Sequence, residues 1–401
     1  MPLYKYINEI YELPEKVVNK IAKDWVELSA NVKKGQQVMI IYDIAGRQLA
    51  KKVGELAGKK GARVWYRVRE LEMDAKILPT QSPKDLARYF QFYNNEIMQA
   101  DVVFMIRGAK DPNILQHLKK QTMQAYIEAS RPVYTDYRVN HTNWNLIYWP
   151  MPIEAKIEGL SFDEYLDIFI NACNQPWEQI KKAHYKIKEI LDKGSQLILI
   201  ANPNDKDPKK RTKLQMSIKG MQFMSSTIKH NYPGSEIFSS PVKASVNGQL
   251  FGKGIYMLGH TFKLVEDFYF KVENGKIVEA TAKKGENDLI DYLNTDEGAR
   301  YFGEIAFGTN PGLRQRVFNP LLNEKIGGSF HITPGNAYND RLDEEGNPVK
   351  IDNGNKSKIH WDITIPMLPQ YGGGEVIVDG KTIQKNGKWL VKGAEILNKG
   401  I

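Results

Sequence analysis

The stretch "QQVMIIYD", residues 36–43, decides the fold of the first half of the chain. It is a short, β-rich apolar run, and such a run reads as a strand. The next two segments set the connectivity. "IAGRQLAKKVGELAGKKGA" (residues 44–62) repeats its apolar residues at helical spacing and ends among glycines, and "RVWYRVRE" (63–70) is strand-like again. Strand, helix and strand at this spacing form a right-handed βαβ unit, and therefore a parallel sheet. "DVVFMIRG" (101–108) and the helical "NILQHLKKQTMQAYIEA" (113–129) continue the alternation. The first 150 residues or so read as a doubly wound α/β domain. A dinucleotide is not indicated, because "YDIAGRQ" lacks the G-x-G-x-x-G spacing that brings backbone against a pyrophosphate.

Further along come two helical stretches. "SFDEYLDIFINACN" (161–174) has Ser161 as its N-cap, and "WEQIKKAHYKIKEILDKG" (177–194) comes after it. Beyond "SQLILI" (195–200) the pattern turns to short strands. Hairpin dipeptides are expected at Asn247–Gly248, Asn274–Gly275, Asp379–Gly380 and Asn386–Gly387. The expected organisation is an α/β domain with trailing helices over residues 1–195, then a β-rich α+β catalytic domain over 196–401.

Composition narrows the function. With 401 residues, 42% hydrophobic and 26% charged, this is an ordinary globular chain. No apolar run approaches the roughly 20 residues that span a bilayer, and the first residues carry acids rather than a long apolar core. A cytoplasmic protein with no membrane partner is expected. The formal net charge of +9 is scattered, and the densest run, "DKDPKKRTK" (205–213), has acids within it and no nucleic-acid-binding motif around it. No nucleic-acid partner is expected. The single cysteine, Cys173, excludes an internal disulfide and reads as a small buried thiol on a helix face.

The chemistry collects in the second half. In "KIHWDITIPM" (358–367), read as a strand, His360 and Asp362 share one face while Ile359, Trp361 and Ile363 share the other. Such a pair is either a buried hydrogen bond or two ligands of one metal site. His331 stands in "LLNEKIGGSFHITPGNAY" (321–338) with Glu324 before a glycine pair, Glu304 in "YFGEIAFGTNPG" (301–312), and Glu236 in "NYPGSEIFSSP" (231–241). Carboxylates among apolar residues are costly when buried without partners. Three glutamates, two histidines and an aspartate would relieve one another by ligating cations, and six N and O donors exceed what one tetrahedral zinc uses. Structural ion pairs remain the alternative. Of the other histidines, His117, His141 and His184 have no ligand-spaced partner and take surface or satisfied roles by default, and His230 and His260 are ambiguous.

These four segments, in this order, resemble the signature segments of the M29 aminopeptidases, the aminopeptidase T group of bacterial metallopeptidases, and the resemblance runs over essentially the whole chain. It implies two domains, a homodimer, peptide substrates and two divalent cations (Zn, Co or Mn). It implies metal contacts from Glu236, Glu304, Glu324, His331, His360 and Asp362, with Tyr338 beside the metals. Glu304 would bridge the ions, Glu236 or Glu304 would carry the proton from water to the leaving amine, and Tyr338 would donate to the oxyanion. The chain departs from the family pattern at Gly234–Ser235, where an acidic residue and glycine are usual, and at Lys213, where an aspartate is. A two-metal phosphoesterase and a non-catalytic binding protein stay open as alternatives.

Overall fold

A computed structural model describes all residues except 1–4, 8–9, 112–113, 260, 262, 318, 344–345 and 401, so His260 lies outside the described residues. By contacts, the chain forms two compact units. One comprises Met1–Asn174 with Ile228–Pro233, the other Gln175–Thr227 with Gly234–Ile401. This division falls earlier than the 195/196 boundary read from sequence, because the helix Trp177–Lys193 goes with the second unit.

The first unit is built on a parallel sheet of β1 (Gln37–Asp43), β2 (Arg63–Arg69), β3 (Val102–Arg107), β4 (Asn143–Tyr148) and the short strand Asn231–Tyr232. Their order in space is β2, β1, β3, β4, then Asn231–Tyr232, all parallel. Winding away from β1 in both directions makes the sheet doubly wound, as expected from the alternation of strand and helix. Both faces are covered. Met39, Ile41, Val103 and Met105 pack against Phe90, Tyr93 and Ile97 of the helix Pro83–Met98. Phe104, pointing the other way, meets the ring of Trp25 at 4.9 Å. The helix Phe162–Cys173 starts as expected, with the Ser161 hydroxyl accepting from the Glu164 amide and the Glu164 carboxylate accepting from the Ser161 amide. Cys173 is buried.

The second unit carries two antiparallel sheets and the helix α1 (Trp177–Lys193). The eight-stranded sheet runs, in spatial order, through 276–284, 264–273, 247–257, 212–217, 196–201, 374–378, 381–385 and 388–389. Asn274–Gly275, Asp379–Gly380 and Asn386–Gly387 form its tight turns, with positive φ at both residues of each. Asn247–Gly248 is not a turn. It opens the strand Asn247–Met257, and a Cβ on Gly248 would come within 2.1 Å of the Lys213 carbonyl oxygen, so this glycine serves a close strand approach instead.

The five-stranded sheet positions the candidate site. It consists of β5 (Met224–Ser226), β6 (Glu236–Ser239), β7 (Phe302–Gly308), β8 (Ser329–Pro334) and β9 (Ile363–Pro366), ordered β9-β8-β7-β6-β5. All but β5 are buried along their whole length. Only the end of the stretch read as a strand at 358–367 joins the ladder. His360 makes a single bridge to Gly335, and regular pairing begins at Ile363. The alternation survives nevertheless, with Ile359, Trp361 and Ile363 buried, and the Trp361 ring lies 5.3 Å from that of Phe268.

Candidate metal centre

Register brings the acids and imidazoles together. Directly paired residues of an antiparallel ladder present their side chains on the same face. Glu304 pairs with Thr333 and Ala306 with His331 across β7 and β8, while Glu236 pairs with Gly308 across β6 and β7. Glu304, His331 and Glu236 therefore share one face, and the small Ala306 lies between them. Gly308 has a second use. A Cβ there would meet Ile326 O at 2.3 Å and Glu324 O at 2.8 Å, so glycine lets the segment carrying Glu324 and Lys325 close against the sheet.

Glu304 is the hub. One carboxylate oxygen lies 3.3 Å from His331 Nε2 and the other 3.2 Å from His360 Nε2. His360 Nε2 is also 3.3 Å from Asp362 Oδ1, and His331 Nε2 is 3.8 Å from Glu236 Oε2. Among the described residues two groups of three emerge, each with ligand atoms within 4.8 Å of one another: Glu236, Glu304 and His331, and Glu304, His360 and Asp362. Neighbours orient the donors. His360 Nδ1 lies 2.9 Å from the Asn336 carbonyl, which fixes the proton there and turns a bare Nε2 inward. The Thr333 hydroxyl donates to Asp362 Oδ1 at 2.6 Å. Tyr338, about a third exposed, has its ring 5.2 Å from that of His360.

Glu324 stands apart from both groups. Its Oε1 is 2.6 Å from Lys325 Nζ, and the same ammonium is 2.6 Å from Glu236 Oε1. Lys325 is only 1% exposed, a place where an unpaired ammonium would cost several kcal/mol. Sequence reading missed it. A lysine next to a glutamate looks like solvated surface, and the one available signal was its position inside the apolar run "LLNEKIGG".

The electrostatics ask for cations. Among the described residues that form these ion pairs, four carboxylates face one ammonium, leaving three negative charges unbalanced when both imidazoles are neutral. Burial works to raise Glu304, but the hydrogen bonds to His331 and His360 outweigh it and hold the carboxyl below its ordinary range. Burial likewise opposes protonation of His331, yet Glu304, Asp362 and Glu236 push it up to about 9. Glu324 is pushed up to about 7 by burial, with Glu236 adding and Lys325 opposing. The pull on protons shows how strongly the cluster attracts positive charge, and once divalent cations displace those protons, imidazole nitrogen and carboxylate oxygen are the donors they take. The residues fit a metal.

The comparisons with known proteins agree. The family model of the thermophilic metalloproteases (M29) matches residues 15–389. The chain belongs to the M29 family. Among curated relatives of this M29 chain, aminopeptidase AmpS of Bacillus subtilis is 23% identical over 93% of the chain and 98% of its own length. Aminopeptidase T of Thermus thermophilus is 24% identical over the same shares. The solved structure of wild-type AmpT from Thermus thermophilus superposes with a TM-score of 0.74 at 23% identity, covering 94% of the M29 chain and all of its own. The α/β unit and the β-rich unit are thus a known fold. That fold alone does not select a chemistry, since a 2,5-dihydroxypyridine dioxygenase from Pseudomonas putida also matches, with a TM-score of 0.56 at 13% identity over 96% of the M29 chain and 100% of its own. The donor set and the family together make the M29 chain a metal-dependent peptidase.

Of the remaining histidines, His184 is fully buried on α1 and contacts three hydroxyls, a satisfied role. His230 stacks on Trp144 at 4.4 Å and bonds its carbonyl, and His141 lies exposed beside Tyr137. Among the described residues no helix is long and apolar enough to cross a membrane.

Proposed function

We propose that the protein is an aminopeptidase that removes N-terminal residues from peptides with two divalent cations, zinc, cobalt or manganese, as a cytoplasmic homodimer. The observation that carries the two-cation reading is Glu304, whose two oxygens face two different imidazoles and so belong to both three-residue groups. The names of the relatives, aminopeptidases S and T, support the substrate class.

Glu236, Glu304 and His331 would hold one cation, and Glu304, His360 and Asp362 the other. Bound cations supply Lewis acidity, which makes water a nucleophile near neutral pH and polarises the scissile carbonyl. The protein's own groups divide the remaining work. Glu304 has both oxygens turned to imidazoles, whereas Glu236 has Oε1 committed to Lys325 and Oε2 no nearer than 3.8 Å to His331. Either Glu236 or Glu304 takes the proton from water and returns it to the leaving amine, since these two carboxylates face the first cation position. Glu324, expected from the family resemblance to touch a metal, is engaged by Lys325. Tyr338 stands beside His360 with part of its surface open, a placement that suits a donor to the tetrahedral oxyanion.

Metal content and release of the first residue from a tripeptide test cofactor and polarity together. His360→Ala should abolish release and lower bound metal while circular dichroism stays unchanged. A wild-type protein that holds no divalent metal, and gains no activity on adding cobalt, zinc or manganese, ends this reading.

A further inference from the structure

We propose that Lys325 is a resident cation of the centre, one that makes its two metal positions unequal: an ion held by Glu236, Glu304 and His331 binds more weakly than one held by Glu304, His360 and Asp362. The inference rests on the two-cation reading of the centre.

Three observations carry it. The ammonium of Lys325 is 2.6 Å from a carboxylate oxygen of Glu236 and 2.6 Å from one of Glu324, so it sits where a cation would sit between two buried acids. It cannot step aside into solvent. Lys325 is 1% exposed, its amide donates to the Leu322 carbonyl at 3.0 Å, and its own carbonyl accepts from the Asn310 amide at 3.0 Å, so backbone as well as side chain is held. Finally, the sharing is one-sided. Glu236 belongs to the first group of three, whereas Lys325 pairs with no member of the second, where Glu304 and Asp362 face His360 and the Thr333 hydroxyl.

The consequences are matters of charge. A divalent ion entering beside Glu236 meets a carboxylate already half neutralised and a fixed positive charge on its far oxygen. An ion entering at Glu304, His360 and Asp362 finds an aspartate that, among the described residues, carries no ammonium. Like charges a few ångströms apart in a poorly screened interior repel strongly, which is enough to separate the two affinities by about tenfold or more. Glu324 is tied up by the same lysine, so the first position draws on two carboxylates and one imidazole rather than on three carboxylates and one imidazole.

The test is a Co²⁺ titration of the chelator-stripped 401-residue protein, monitored by calorimetry and by the visible absorption of the bound ion. The wild type should take up one ion tightly and a second with an affinity at least about tenfold lower. Lys325→Met should bring the two affinities together by strengthening the weaker, and Lys325→Arg, which keeps the charge, should preserve the gap. Because Lys325→Met leaves Glu236 and Glu324 facing one another, the double variant Lys325→Met with Glu324→Gln is measured beside it, with folding checked by circular dichroism. Two equally tight ions in the wild type, or an undiminished gap in whichever neutral variant folds, would overturn the proposal. Uptake of no ion at all would instead overturn the metallopeptidase reading beneath it.

Discussion

His184 and His331 are both fully buried imidazoles in the same unit, and they have been driven in opposite directions. His184, on α1, has Ser225 Oγ 2.8 Å from Nδ1 and Thr309 Oγ1 2.8 Å from Nε2, with Ser235 Oγ at 3.3 Å. Hydroxyls can give or accept, so they satisfy a neutral ring without paying for a charge, and burial alone carries its pKa down to about 3. His331 looks at carboxylates, and they push it up to about 9 against the same burial. Partners, rather than depth, decide whether a buried histidine is inert or available to a cation. Ser235 stands immediately before Glu236, the first residue of β6, so the neutral network and the charged one adjoin there, while Ser225, paired with Ile237, lies on the face opposite Glu236.

The largest contrast is in activity. His331→Gln removes a donor from the group built on Glu236 and Glu304, and kcat/KM on an aminoacyl-nitroanilide should fall by on the order of 10³-fold, the scale on which one member of a cooperating catalytic set acts. Bound metal should fall with it. His184→Gln should leave the metal content unchanged, and if both variants lose metal alike, the separation of the two networks is wrong.

Much of this centre was legible in the sequence, for reasons that explain what was not. The α/β unit announced itself because parallel strands are buried on both faces, so β1 and β3 are nearly unbroken apolar runs between helical stretches. His360 and Asp362 were legible because their partnership is local, two residues apart on one chain segment. The hydroxyls around His184 come from residues 225, 235 and 309, and no spacing rule links them to a helix that starts at Trp177. Lys325 was hidden by its neighbour. Beside Glu324 it reads as a surface pair, and only the closing of its turn over Gly308 shows that the ammonium points inward to Glu236. Asn247–Gly248 carried a hairpin signature but serves strand contact, because what glycine permits locally is decided by which strand approaches it.

A second effect is on stability against pH. The unfolded chain takes up a proton on residue 184 below the ordinary histidine pKa of 6.5, while the folded protein does not until about pH 3. The stability that burial of the neutral ring permits is therefore fully present above pH 6.5 and is lost as the pH falls toward 3, by about 1.4 kcal/mol per unit. Between pH 7 and pH 5 this amounts to about 2 kcal/mol. His184→Gln cannot titrate, so its urea midpoint should fall less than that of the wild type over this interval. Equal slopes would mean that residue 184 is solvated or charged in the native state.

The smallest effect sharpens the contrast most. Ser225→Ala leaves one buried ring nitrogen of His184 without its hydroxyl, which should cost about 1 to 2 kcal/mol at pH 7, the usual penalty for stranding one neutral buried polar atom. The loss should be independent of added metal in size, because Ser225 touches neither group of ligands. Measured by urea unfolding with and without Co²⁺, the difference between variant and wild type should stay constant even though the ion stabilises both. A difference that grows with Co²⁺ would mean that the hydroxyl network reaches through Ser235 to hold Glu236 in its ligating position. The two imidazole environments would then be one device rather than two.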